Sequence, residues 1–130
     1  MAEIRVRTSK KSQVLDLTAQ IAEVVRDSRV SEGLCCVYTP HATAAIVINE
    51  HDDPHIGLDL LDALDKLIPE GVWRHDRVDR NGAAHLKAAI LGPSEVVPIR
   101  QSRLALGTWQ AIMLVELDGP RDRKVIVTIR

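Results

Sequence analysis

Gly33-Leu34-Cys35-Cys36-Val37-Tyr38-Thr39 and Ala44-Ala45-Ile46-Val47-Ile48-Asn49 are two β-rich apolar runs joined through Pro40-His41-Ala42. A strand half open to water alternates apolar with polar residues. These runs do not alternate, so both are expected as central strands with both faces covered. Upstream, Glu3 to Thr8 alternates Ile4 and Val6 with charged neighbours, and Gln13 to Leu17 repeats the pattern with Leu15 and Leu17. Two strands connected through Lys10-Lys11-Ser12 are expected there. Thr18 is placed to cap a helix that ends near Ser28 and turns Ile21, Val24 and Val25 inward.

Downstream, Asp53-Pro54 is a strong helix start, because the carboxylate accepts free first-turn amides and proline sits where no donor is needed. The spacing of Ile56, Leu60, Leu61, Leu64 and Ile68 predicts a helix over 54–67, ended by Pro69-Glu70-Gly71. Val72 to Arg80 reads as a polar loop. Asn81 can cap a further helix with Ala84, Leu86, Ala89 and Ile90 on its apolar side, stopped by Gly92-Pro93. Ser94 to Ile99, Arg103 to Leu106, Thr108 to Leu117 and Lys124 to Ile129 are β-like segments, read as a strand meander. Mixed strands and helices followed by strands indicate an α+β fold with about three short helices, not a doubly wound sheet.

The chain has 130 residues, 45% hydrophobic and 27% charged, which predicts one globular domain over 1–130. With 17 Lys+Arg against 18 Asp+Glu, the near-neutral balance argues against a polyanion as main partner. Two Trp, one Tyr and no Phe leave no aromatic platform for stacking bases, so no nucleic-acid partner is expected. Runs such as Ala44 to Ile48 fall far short of the roughly 18 residues of a spanning helix, and Met1-Ala2-Glu3 opens no signal peptide. No membrane association and a cytoplasmic location are expected. Adjacent Cys35 and Cys36 in a strand point to opposite faces, so neither is read as a structural disulfide.

Three histidines stand at segment junctions, where rigid elements present side chains to a cleft: His41, His75 and His85. Neutral imidazole is the commonest transition-metal ligand, and one model gathers all three around a divalent cation, zinc or magnesium. Glu50 ends an apolar run and is expected to need a partner for its charge. Asp79 is read as a general base, an imidazole orienter or a cap. Glu116 lies inside another apolar strand, and an ion pair with Arg121 or Arg123 is its simplest explanation. Arg121 alternatively clamps a phosphate through its planar fork. His51 and His55 flank the Asp52-Asp53-Pro54 helix start and are read as exposed.

Thr39-Pro40-His41-Ala42-Thr43-Ala44-Ala45, Ile48-Asn49-Glu50, Asp53-Pro54, His75, Asp79-Arg80-Asn81-Gly82-Ala83-Ala84-His85-Leu86-Lys87, Leu106-Gly107-Thr108-Trp109-Gln110 and Glu116-Leu117-Asp118-Gly119-Pro120-Arg121 occur in this order along the chain. This series resembles the secondary thiamine-phosphate synthase (YjbQ-like) family over nearly its whole length. Two departures are Ala42, where the family usually has Thr, and Ser102, where it usually has Gly. The resemblance implies a sandwich-like pair of mostly antiparallel sheets, assembled as a homotrimer with the histidines near subunit boundaries. It also implies a transferase activity that joins hydroxymethylpyrimidine diphosphate to a thiazole phosphate. On that reading His41, His75 and His85 hold a metal or the anion, and Glu50 and Asp79 orient imidazoles or shuttle a proton. Asn81 and Gln110 give neutral hydrogen bonds, while Arg121 serves the leaving group. Two alternatives use the same residues: metal-assisted hydrolysis with Glu50 as base, and non-catalytic capture of a phosphorylated metabolite.

Overall fold

The computed structural model describes all residues, Met1–Arg130. Its strands are β1 (Ala2–Arg7), β2 (Gln13–Asp16), β3 (Gly33–Tyr38), β4 (Ala44–Asn49), β5 (Ser94–Arg100), β6 (Arg103–Leu104), β7 (Ala111–Glu116) and β8 (Asp122–Ile129). The helices are α1 (Thr18–Ser28), α2 (Pro54–Leu67) and α3 (Gly82–Leu91), with a single 3-10 turn at Arg74–Arg77. A five-stranded sheet runs in the order β1-β8-β3-β5-β6 and a three-stranded one in the order β2-β7-β4. All strand pairs are antiparallel. The fold is α+β.

The core between the sheets follows from period-2 alternation. Cys35 and Val37 of β3, Val97 and Ile99 of β5, and Val125 and Val127 of β8 meet Ala44 and Ile46 of β4 and Ile112 and Leu114 of β7. Ile21 and Val25 of α1 join the same cluster, as their helical spacing requires. The opposite face of the three-stranded sheet presents Ala45, Val115 and Leu117 to Leu64 of α2 and to Ala84 and Ala88 of α3. The layers are therefore the five-stranded sheet, the three-stranded sheet, and α2 with α3.

Several expectations change at this level. β4 is an edge strand, not a central one; it is apolar on both faces because the other sheet covers one and the helices cover the other. β3 is central, yet its outer face leaves Leu34 and Tyr38 exposed. The last strands are no meander, since β7 belongs to one sheet and β8 to the other. Thr18 does not cap α1: Leu17 holds that position, and the Thr18 hydroxyl accepts the Ile112 amide at 2.9 Å. In α3 the buried residues are Gly82, Ala83, Ala84, Lys87 and Ala88, whereas Leu86 and Ile90 are exposed. Small residues there let the helix approach the sheet. Asp53 does cap α2, accepting the His55 amide at 2.9 Å.

Candidate functional site

β7 ends at Glu116 and β8 begins at Asp122, so the turn between them crosses from one sheet to the other. Glu116 is fully buried, and both its oxygens are occupied. Arg123 donates from Nε to Oε2 at 2.8 Å and from Nη2 to Oε1 at 2.5 Å. The Thr8 hydroxyl donates at 2.8 Å and the Asp118 amide at 2.9 Å. Burial pushes the Glu116 carboxyl up, but these donors, Arg123 first, outweigh it and hold the group below its usual range. Arg123 Nη2 also donates to Thr43 Oγ1 at 2.8 Å, which ties the segment after β3 to the same anchor. A side chain at Gly119 would collide with the Lys10 carbonyl and the Glu116 side chain, so glycine is required there.

Above this anchor lies an open cavity of about 570 Å³, whose polar lining includes Arg7, His41, Asn81, His85, Asp118 and Arg121. A second cavity, of about 530 Å³, adjoins it and is lined by Arg5, Arg7, His41, Asp122, Arg123 and Lys124. His41, Arg7, Asp122 and Arg123 belong to both. The Lys124 amide donates to His41 Nε2 at 3.0 Å, so the neutral ring carries its proton on Nδ1. Partial burial, then the charges of Arg123 and Lys124, push the His41 pKa below 6.5. Asp118 accepts from Asn81 Nδ2 at 2.9 Å and from Arg121 Nη2 at 3.0 Å, while Arg121 Nε donates to the Asp118 carbonyl at 2.6 Å. The Arg121 guanidinium is thus oriented, yet its side chain remains 54% exposed.

His41, His85, Asn81 and Arg121 therefore share one cavity. His75 stands behind His85, edge to face at 4.7 Å between ring centroids, and belongs to a neighbouring hollow with Trp73. Asp79 Oδ2 lies 3.7 Å from His75 Nε2, consistent with orienting that ring. Asp76 shapes this corner by accepting the Trp73 amide at 3.0 Å and the Gly82 amide at 2.9 Å. Those amides, Gly82 first, hold its carboxyl below the usual value. Asn81 occupies the position before α3 but makes no side-chain cap bond.

Glu50 and Gln110 lie elsewhere. Asn49 pairs with Ala111, whereas Ala44 pairs with Glu116, so the strand length separates these two residues from the cavity by roughly 17 Å at about 3.4 Å per residue. Glu50 is half-buried at the strand end, not in the dry interior. Gln110 Oε1 accepts the Gly107 amide at 2.9 Å and closes its own turn. His55 is exposed beside Asp53 as expected, but His51 is half-buried and its Nδ1 is enclosed without a partner.

The expected three-imidazole metal set does not assemble within the chain. No three of its His, Cys, Asp or Glu side chains converge as a metal-ligating group, and His41 Nε2 already accepts an amide hydrogen. Sequence reading overlooked Arg7, which enters through the pairing of β1 with β8 that sets it opposite Asp122. Asp118 was legible only as a turn residue. Cys35 is buried and Cys36 half-buried; neither is disulfide-bonded, and burial pushes the Cys35 thiol up to about 11. No helix is long and apolar enough to cross a membrane.

Comparison with known proteins bears on the whole chain. A UPF0047 protein of Archaeoglobus fulgidus is 48% identical over 126 residues, 96% of this chain and 97% of that protein. UPF0047 protein YugU of Bacillus subtilis is 36% identical over 123 residues, 92% of this chain and 91% of that protein. Among solved structures, a yjbq/upf0047 family protein of Clostridium acetobutylicum superposes with a TM-score of 0.96 at 44% identity, covering 100% of both chains. The model of the family described as UPF0047 protein YjbQ-like matches residues 2–130, and the chain belongs to that family.

Proposed function

We propose that the paired cavities bind phosphorylated small metabolites and that the chain acts as a thiamine-phosphate synthase-like transferase. The observation that carries this reading is the position of His41 in the wall shared by two adjoining cavities, each bordered by arginines. Their volumes lie in the range of small-molecule sites. Two neighbouring anion sites suit a reaction whose substrates both carry phosphate. In the proposed step the carbon–oxygen bond to diphosphate breaks, the pyrimidine methylene becomes a stabilised cation, and the thiazole nitrogen forms the new bond to it. Such chemistry needs anion stabilisation and positioning more than a protein nucleophile. Arg121 and Arg7 face the leaving diphosphate, and neutral His41 donates from Nδ1 to a phosphate oxygen.

The homotrimer implied by resemblance has two supports. Leu34, Tyr38 and Val96 leave the five-stranded sheet an exposed apolar outer face. Glu50 and Gln110, remote from the cavity of their own chain, reach one only if a neighbouring copy supplies it. A cytoplasmic protein fits two thiols that form no disulfide.

The test supplies both phosphorylated substrates, with and without added magnesium or zinc, and measures thiamine phosphate and diphosphate. Equal release of both supports the transferase, and Arg121→Ala lowers the rate by at least about tenfold. Phosphate release from one substrate alone favours hydrolysis. Saturable binding without product leaves a capture protein.

A further inference from the structure

Two Trp, one Tyr and no Phe are too few rings to stack a run of bases, yet folding concentrates rings at one place. Trp73, His75 and His85 all line a hollow of about 450 Å³ beside the start of α3, together with Val72, Arg74 and Leu86. Trp73 Nε1 donates to the Pro69 carbonyl at 2.7 Å, which fixes the indole. Asp76 accepts the Trp73 amide on Oδ2 and the Gly82 amide on Oδ1, so a single carboxylate ties the tryptophan to the helix that carries His85. A Cβ at position 82 would come within 2.8 Å of the Trp73 Cβ, so it is glycine that admits the tryptophan against α3. His85 meets His75 edge to face in this hollow and also lines the cavity bordered by Arg7 and Arg121. No carboxylate lines the hollow, and its apolar members Val72 and Leu86 stand 66% and 37% exposed.

We infer that this hollow is the subsite for one flat aromatic or heteroaromatic ring, carried by the ligand whose phosphate lies in the adjoining cavity, and that Trp73 is its specificity-determining residue. This rests on the phosphate reading above and adds where the organic part of the ligand goes. A flat ring packs offset or edge-on against indole and imidazole, and a wall already held in place loses little freedom when the ring arrives. His85, shared by both spaces, makes the two subsites neighbours that a short linker spans. Arg74, with no acid beside it in the lining, selects a neutral or anionic ring over a cationic one. The same arginine, followed by exposed Arg77 in the turn that forms the wall, puts dense charge where an interface with a second copy would need a dry centre. A small ring leaves those guanidinium groups in water.

The test titrates the full chain carrying Trp109→Phe, which leaves Trp73 as its one indole, and follows Trp73 fluorescence beside calorimetry. Phenyl, benzyl and 2-phenylethyl phosphate scan the reach between the subsites, each beside its cyclohexyl counterpart, with methyl phosphate and inorganic phosphate as references. At the productive length the aromatic ester binds about tenfold more tightly than methyl phosphate and about threefold more tightly than its cyclohexyl counterpart. Trp73 emission shifts with the same midpoint, whereas inorganic phosphate binds without that shift. In Trp73→Leu the aromatic advantage falls to about one while inorganic phosphate binds as before. Leu86→Gln, a change on the exposed helix surface, lowers the same advantage and serves where Trp73→Leu does not fold. Aromatic esters that bind no better than methyl phosphate, or no better than their cyclohexyl counterparts, overturn the inference while leaving the phosphate site standing, as does binding that never moves Trp73 emission. Emission that changes with protein concentration alone gives the hollow to a second copy and overturns it too. Failure of inorganic phosphate and every ester to bind overturns the phosphate reading and this inference with it.

Discussion

Glu116 and Arg123 are a buried ion pair in which every carboxylate oxygen has a donor, and removing one partner is far worse than removing both. Glu116→Gln leaves Arg123 charged and nearly dry, and is expected to cost about 3–5 kcal/mol in urea unfolding. The double change Glu116→Leu with Arg123→Met should recover much of that loss. That an acid inside an apolar strand needs an arginine was legible in the sequence. Arg123 makes the pair because it lies within β8 on the inward face that it shares with positions 125 and 127, whereas Arg121 precedes the strand and turns to Asp118 in the connecting turn. His41 carries a second prediction at this scale. Its pKa lies below the ordinary 6.5 in the folded chain, so the unfolded chain takes up the proton first. The corresponding stability is complete above pH 6.5 and is lost as the pH falls toward the folded value. Proton NMR titration should place the His41 midpoint below 6.5, and added inorganic phosphate should raise it by favouring the imidazolium. A midpoint at or above 6.5 without phosphate contradicts the proposed environment.

α2 and α3 are held together by charge as well as by apolar packing. Lys87 is buried on α3 and donates to Asp65 of α2 at 2.5 Å, while the Asp65 side chain is 59% exposed. Solvent screening on the acid side reduces the cost of its loss. Asp65→Asn is expected to destabilise by about 1–2 kcal/mol in thermal or urea unfolding, and Lys87→Met by less, because methionine keeps the packing and removes the buried charge. The reverse order would show that the Lys87 ammonium has another use. This pair also explains why the apolar side assigned to α3 from sequence was out of phase. Size and hydrophobicity mark Leu86 and Ile90 as inward, but the close approach to the sheet selects alanines and brings a lysine inside. Element boundaries were far more legible. Asp53-Pro54 and Gly92-Pro93 mark their helix ends by local chemistry that needs no tertiary contact.

For the molecule as a whole, the uncovered outer face of the five-stranded sheet bears on assembly. If copies pack there, light scattering at micromolar concentration gives three times the chain mass, and Leu34→Glu or Val96→Glu shifts it toward the monomer. Mixing His41→Ala with Glu50→Gln chains should then restore a fraction of the activity, since some cavities receive neither change. Monomeric wild-type protein would contradict that arrangement. The amino-acid sequence alone determined the α+β class, most element positions, the reduced cysteines and the kinship, because these depend on local spacing and on motifs contiguous along the chain. Only the tertiary structure decided which candidates meet. Strand pairing sets Arg7 opposite Asp122, and the crossing between sheets carries Asp118 and Arg121 to His41. The extended length of β4 carries Glu50 away. Antiparallel register joins residues a hundred positions apart and separates others a few positions apart, and no local pattern records that choice.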